Sequence, residues 1–474
     1  MKKTLTLCFA ILFSLTLLIC TSADEEAYAK KIKFTYVLET SNGSVNAKNK
    51  LADKDYTTTV TLDAGEVLHI SCEESAAWIN IKFYGKAPES YMLGMITSDQ
   101  SSESQITDCG GIGFLHQVNA LAVGTSEILI SGDTQMSICE IEVYSAGKLP
   151  DSVQRWEKSL SRCDVLVIST HADDDTLFFG ALSAEQIALG RSVQTAFICG
   201  HPGELHRLNE LLDGQWTLGV TAYPIIGSFN DYYSTELNKA EQQYDCDKMS
   251  EFIVEVIRRT RPLVLVTHDI DGEYGHGAHR LVSKLTREAL EICDDASVYT
   301  ESAEKYGTHA PQKTYLHLYD KNKIVLGVNA EYEKLDSATP FETAKAAYNC
   351  HKSQQQWRFK VTTSGTDDCR RFGLYQSLVE CDVTDNDIMN GLSPILPTVS
   401  STSTIKKSNE CRNINTNTSP AHKSSDRFEL FSIFSHDGNG NQTKVPTSSV
   451  AICLGIIILF AAYGLYSAVK NLRR

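Results

Sequence analysis

The residues best suited to chemistry stand in two short clusters. The first is His171-Ala-Asp173-Asp174-Asp175, one imidazole and three carboxylates on neighbouring positions. The second is Gly272-Glu-Tyr274-Gly-His276-Gly-Ala-His279, with its two imidazoles three residues apart. Imidazole and carboxylate together are the ligand chemistry of zinc and similar divalent ions. Each cluster follows an apolar run: Val165-Leu-Val-Ile-Ser-Thr before the first, and Arg261-Pro-Leu-Val-Leu-Val-Thr leading through His268 and Asp269 to the second. Such runs read as buried parallel strands, and ligands of open α/β sheets gather where strands end. After the second cluster, Arg280-Leu-Val-Ser-Lys-Leu-Thr-Arg-Glu-Ala-Leu has helical periodicity, which places His276 and His279 on one face of a first turn. Taken singly, His201, His268 and Glu273 read as helix caps or solvated loop residues. Two motifs in order, each at a strand end, favour a metal site.

With both clusters in view, the chain resembles the LmbE-like or PIG-L family of zinc-dependent deacetylases, which act on N-acetylglucosamine-containing substrates. The family's opening signature, Pro-His-Pro-Asp-Asp-Glu, corresponds to Thr170-His171-Ala172-Asp173-Asp174-Asp175, with both prolines replaced and the last Glu shortened to Asp. The second signature, Tyr-Gly-His-x-x-His, is complete from Tyr274 to His279. Arg207-x-x-Glu210, Leu218-Gly-Val220 and Asp231 extend the likeness over residues 164–280, and it continues more weakly through His351-Lys-Ser-Gln and Phe372-Gly-Leu-Tyr.

The resemblance implies His171, Asp174 and His279 as ligands of one Zn2+ or another divalent ion. Two neutral imidazoles and one carboxylate leave net positive charge and an open position, as catalysis requires. It further implies Asp173 as the general base for the attacking water, a protonated His276 for the oxyanion or the leaving amine, and Tyr274 as a further hydrogen-bond donor. Arg207 and Asp231 match positions that contact sugar hydroxyls or brace the site. Arg207 with Glu210 also reads as an exposed pair on a helix, and Asp175 as an acid that orients a ligand. The implied reaction is hydrolysis of the acetamide of an amino-sugar glycan to amine and acetate. The alternative is a glycan-binding or adhesion protein whose deacetylase domain is inactive or retuned by the altered signature.

The elements that must position these residues are legible as patterns. Over residues 152–392, apolar strands alternate with amphipathic helices such as Lys248-Met-Ser-Glu-Phe-Ile-Val-Glu-Val-Ile-Arg-Arg, which predicts an α/β domain: a Rossmann-like, mostly parallel sheet with helices on both faces. Residues 32–147 carry short alternating runs, among them Val67-Leu-His-Ile, Trp78-Ile-Asn-Ile-Lys-Phe-Tyr and Ile138-Cys-Glu-Ile-Glu-Val-Tyr, and predict a β-sandwich. That pattern is similar to discoidin or galactose-binding-like modules, which leaves glycan binding and simple packing support both open. The boundary falls near Ala146-Gly-Lys-Leu-Pro150.

The two ends predict location. Met1-Lys-Lys, the apolar Leu5–Ile19 and Thr21-Ser-Ala23 read as a signal peptide over residues 1–23. Residues 450–469 are uncharged and precede Lys470, Arg473 and Arg474, the pattern of a single transmembrane helix with a cytoplasmic tail at 470–474. Residues 393–449 have the Ser, Thr, Asn and Lys composition of a flexible linker with a reach of roughly 40 Å. The expectation is an exported enzyme anchored at the cell surface, its catalytic domain outside. A net charge of −15 excludes electrostatic attraction to nucleic acid. Cysteines lack Cys-x-x-Cys spacing; Cys72, Cys109 and Cys139 are candidates for one bridge, with buried thiols as the alternative.

Overall fold

Alternation of apolar and polar residues builds the first half of the molecule. The computed structural model describes residues 27–45, 49–98, 102–108, 113–380 and 385–395, together with two short paired strands, Ser435–His436 and Gln442–Thr443. That pair lies in a separate unit beginning at Asn409, within the stretch expected to be a flexible linker. The expected signal peptide and transmembrane helix lie outside the described residues. Among the described residues, no helix is long and apolar enough to cross a membrane.

Nine strands form the N-terminal region: β1 (Lys31–Ile32), β2 (Phe34–Thr40), β3 (Gly43–Val45), β4 (Val60–Leu62), β5 (Val67–Phe83), β6 (Ser90–Thr97), β7 (Ser102–Asp108), β8 (His116–Ser131) and β9 (Met136–Tyr144). All pairings are antiparallel, in the order β1-β9-β5-β8-β6-β7, with β2 on β5, β3 on β2 and β4 on β9. The sequence suggests separate strands at 67–70 and 78–84; they are one strand. Its inward residues change parity, from Leu68 and Ile70 to Ile79, Ile81 and Phe83, and register shifts after Ser71 and Ala76 accomplish the change. A bulged strand bends while keeping an apolar face inward, so β5 serves both halves of this region. Leu93, Ile128, Ile138 and Val143 complete a core shared by the two halves.

The second half is a seven-stranded sheet in the order β12-β11-β10-β13-β14-β16-β15. Its strands are β10 (Val165–Ser169), β11 (Val193–Cys199), β12 (Ile225–Phe229), β13 (Val264–Thr267), β14 (Lys313–His317), β15 (Lys323–Val325) and β16 (Arg371–Ser377). β10 to β14 are parallel, and β15 and β16 run antiparallel at one edge. The helices are α1 (Asp174–Leu177), α2 (Gly180–Ala188), α3 (His206–Thr217), α4 (Leu237–Gln243), α5 (Cys246–Thr260), α6 (Gly277–Leu290), α7 (Thr300–Tyr306) and α8 (Pro340–Tyr348). Val165 and Val167 of β10 join a core with α2 and α8, whereas Leu166 and Ile168 join another with α5 and α6. Both sheet faces are therefore covered, and each fully buried aliphatic side chain contributes about 1.5–3 kcal/mol. From β10 the chain winds outward through β11 and β12, then returns to β13 on the other side. The crevice between the ends of β10 and β13 is the topological switch point where ligands bind in such sheets.

The two regions share apolar packing. Trp156, Leu208, Leu211, Leu212 and Tyr223 belong to the same buried cluster as Leu68, Ile81 and Ile138. The start of the expected linker is also held down, since Ile395 N donates to Asp164 Oδ1 at 2.6 Å. Cys72 and Cys139 are free thiols, which agrees with the thiol alternative for these two, and Cys109 lies outside the described residues.

Candidate active site

Both signature clusters open into the crevice. His171 follows β10, and α1 begins three residues later, so Asp174 and Asp175 point about 100° apart from its first turn while Asp173, at the cap, has non-helical backbone that aims it elsewhere. His276 caps α6 and His279 lies one turn inside it. Gly272 permits this approach with φ of +69°; a Cβ there would come within 2.5 Å of His276 O.

Three donor atoms converge. His171 Nδ1 lies 2.9 Å from Asp174 Oδ2, and His279 Nε2 lies 3.1 Å from the same oxygen. The two imidazole nitrogens are 3.2 Å apart. That is close to the spacing of three ligands around one ion with bonds of about 2.0–2.1 Å. Each imidazole also faces a carboxylate on its far side. His279 Nδ1 donates to Glu273 Oε2 at 2.8 Å, which turns its Nε2 inward, where a bound ion would take the place of its proton. Asp231 Oδ1 lies 3.2 Å from His171 Nε2. Carboxylates behind metal-binding histidines fix their tautomer and raise their basicity. The donor set fits zinc or another divalent ion. Burial alone would make both imidazoles less basic, but Asp174 outweighs it: His171 stands well above its usual value and His279 at about 9. Burial likewise opposes ionisation of Asp174, and the two histidines hold it well below the usual carboxylate range.

Asp173 turns away from its own helix end and accepts from Arg207 Nη2 at 3.1 Å. Arg207 Nη1 donates to Asp231 at 3.0 Å. Arg207 is thus a buried clamp between two carboxylates, not half of an exposed pair with Glu210, whose carboxylate instead accepts from Ser353. Burial, with Asp174 next to it, raises Asp173 to about 6 against the opposing pull of Arg207.

Other expectations are corrected. Glu273 and His268 are completely buried, not solvated. Glu273 accepts from His268 Nδ1 at 2.7 Å, His279 Nδ1 at 2.8 Å and His317 Nδ1 at 2.8 Å. Burial opposes its charge, and these imidazoles, His268 first, hold it deprotonated. His268 Nε2 accepts from Thr170 N at 3.0 Å and His201 Nε2 accepts from Ala172 N at 3.1 Å, so two histidines pin the backbone on either side of His171. His317 ends β14 and carries no motif that marks it. Asp175 is bonded to Gln215 and not to a ligand histidine: it accepts from Gln215 Nε2, and burial raises its pKa well above the usual carboxylate range. His276 is neutral, not protonated. Its Nδ1 accepts from Ala278 N at 3.1 Å, and burial, then His279 and His171, hold its pKa far down. The proton of this neutral ring sits on Nε2.

His171, Asp173, Asp174, Arg207, Asp231 and His276 line one cleft of about 570 Å³. Tyr233, Tyr274 and Trp357 stand exposed at its walls, beside Phe359. Tyr274 sits in the left-handed region with φ of +45°, its ring 4.8 Å from that of Phe359. Although its ring edge is open to the cleft, desolvation by the surrounding site, with the Asp174 charge adding, raises the pKa of its hydroxyl.

A site of this composition on this fold agrees with the sequence comparison: residues 166–290 of the α/β region are similar to the family PIG-L, described as GlcNAc-PI de-N-acetylase. A 1D-myo-inositol 2-acetamido-2-deoxy-alpha-D-glucopyranoside deacetylase from Streptomyces griseus subsp. griseus is 28% identical over 211 residues, 39% of this chain and 63% of that protein. A protein of the same name from Thermobispora bispora is 30% identical over 159 residues, 28% of this chain and 52% of that protein. The chain therefore spans less than two thirds of these relatives. Among solved structures, the N,N'-diacetylchitobiose deacetylase from Pyrococcus horikoshii matches with a TM-score of 0.33 and 18% identity, over 40% of this chain and 70% of that one.

Proposed function

We propose that this protein is a metal-dependent N-deacetylase that hydrolyses the acetamide of an N-acetylglucosamine-containing glycan or glycoconjugate. The observation that carries the reading is the meeting of His171, Asp174 and His279 beside a separate, near-neutral carboxylate, Asp173, at the switch-point crevice. A divalent ion held by His171, Asp174 and His279 would supply a Lewis acid for the acetamide carbonyl and lower the pKa of water. Asp173 takes a proton from the attacking water as its oxygen bonds to the carbonyl carbon. His276 Nε2–H and the Tyr274 hydroxyl donate to the oxyanion that forms. When the C–N bond breaks, the proton held on Asp173 passes to the departing amine, and acetate is left. Arg207 and Asp231 hold Asp173 and His171 in place for this exchange.

The substrate reading is supported by the cleft walls. Exposed aromatic rings around a polar floor suit a sugar, whose ring has an apolar face and a polar edge. The shortened Asp175 motivates an inactive domain, but it sits apart from the ligand atoms and bonds Gln215, which favours the active reading. The leader-like residues 1–23 and the apolar residues 450–469 extend the proposal to an exported enzyme anchored at the cell surface with its cleft outside. The packing of the N-terminal region into the core beside the cleft supports a part in the enzyme over a free-standing glycan-binding module.

The test is acetate release from a panel of N-acetylglucosamine glycosides by the zinc-loaded full chain, beside Asp173→Ala and His279→Ala. Release that both substitutions abolish is expected. Release that survives either one sinks the assignment of that residue, and no release from any glycoside by protein carrying bound zinc sinks the substrate class.

A further inference from the structure

Helix α3 is used on two sides. Toward the cleft it carries Arg207, which holds Asp173, and Glu210, which accepts from Ser353 N at 2.8 Å and so anchors the segment leading to Gln354 and Trp357 on the cleft wall. On the other side it presents Asn209 and Asp213 to the N-terminal β region, and there the contacts are polar and largely shielded from solvent, with Lys82 13% and Asp213 23% exposed. Lys82 Nζ of β5 lies 3.3 Å from Asp213 Oδ1, and Tyr56 Oη donates to Asp213 Oδ2 at 2.6 Å. Lys82 Nζ donates to Tyr56 Oη at 2.6 Å, and Gln154 Nε2 donates to Asp213 Oδ1 at 2.6 Å. His116 of β8 spans the same junction, 2.6 Å from Gln154 Oε1 and 2.8 Å from Asn209 Oδ1. A second tie reaches the start of that cleft-wall segment, where Lys352 Nζ donates to Lys54 O at 2.8 Å.

We propose that Lys82 and Tyr56 are positioning residues for the deacetylase site: by fixing Asp213 they set the axial position of α3, and through it the placement of the Arg207 guanidinium on Asp173. The N-terminal region thereby becomes part of the catalytic apparatus without touching substrate. Apolar packing alone tolerates small slides of a helix, whereas a half-buried charge with several directed partners has one position that satisfies all of them. Arg207 lies less than two turns from Asp213 on a continuous helix, so a shift at one is delivered to the other. This inference rests on the deacetylase reading for its kinetic effect and on geometry alone for its structural effect.

The experiment uses the full chain with Lys82→Met, the milder Tyr56→Phe, and the charge-neutral pair Lys82→Met with Asp213→Asn. Thermal unfolding identifies the variants that fold, crystal structures of these give the Arg207 Nη2 to Asp173 Oδ1 distance, 3.1 Å in the parent, and acetate release gives kcat and KM per folded molecule. The expected result is a displaced guanidinium in the single variants, with kcat lowered on the order of tenfold to a hundredfold and KM nearly unchanged, and no recovery in the neutral pair, which relieves the unpaired charge but still lacks the anchor. An Arg207 that stays on Asp173 in a folded single variant overturns the proposal whatever the activity. If the parent protein releases no acetate, the deacetylase reading fails by itself, and the crystallographic distance still decides this one. Should Lys82→Met fail to fold, Tyr56→Phe carries the same two outcomes.

Discussion

Three adjacent carboxylates have three different fates. Asp174 is held ionised by His279 and His171, Asp173 is raised to about 6 chiefly by burial, and Asp175 is raised well above the carboxylate range by burial, which outweighs the hydrogen bond from Gln215. We expect Asp175→Asn to keep most of the activity, since an amide oxygen can still accept from Gln215, whereas Asp174→Asn loses both bound metal, read by elemental analysis, and turnover. Comparable loss in the two variants would refute the distinction. Glu273 gathers three imidazoles, so Glu273→Gln should weaken metal affinity by about 10–100-fold, measured by competition with a chelator. The signature spacing made His171, Asp174, His279 and Asp173 legible in the sequence. Glu273, His268, His201 and His317 were not, because their importance comes from complete burial and from partners distant in the chain, neither of which a linear motif displays.

Helices with strong periodicity were legible nearly to their ends. α5 starts where Asp245 accepts from Lys248 N and stops where Arg261 turns left-handed, close to the apolar spacing that announces it. The long β5 was not, because the parity switch between Ile70 and Ile79 looks in sequence like a gap between two strands. α2 offers a test of burial at this scale. Its Glu185 is buried, and burial first, with Asp387 adding, raises its pKa from 4.5 to about 7 against Arg191. The folded state thus holds a proton that the unfolded chain releases above about pH 4.5. Stability tied to this group is present at low pH and is lost as pH rises toward 7. Glu185→Gln should therefore leave the unfolding free energy unchanged near pH 4 and raise it by about 3 kcal/mol at pH 8, as chemical denaturation at the two pH values would read. An equal change at both pH values would rule out the titration as its cause.

At the scale of the whole molecule, the change from strand-like to alternating α/β composition near Ala146 to Pro150 is visible in the sequence, but the packing across it is not. Nothing in the run Leu205 to Leu212 indicates that its apolar side chains meet strands from residues 60–143. A fragment beginning at Pro150 would expose Trp156, Leu208, Leu211, Leu212 and Tyr223 and leave Asp213 without Lys82. It should be recovered only as aggregate or with a much lower melting temperature than the full chain; a soluble fragment of parental melting temperature would contradict this.

The apolar cluster that crosses from the strands to α3 has a calorimetric consequence. Domains joined by a tether absorb heat as separate events, whereas regions that bury one another's side chains lose that burial together. Heating should give one endotherm for residues 27–395, with equal calorimetric and van't Hoff enthalpies.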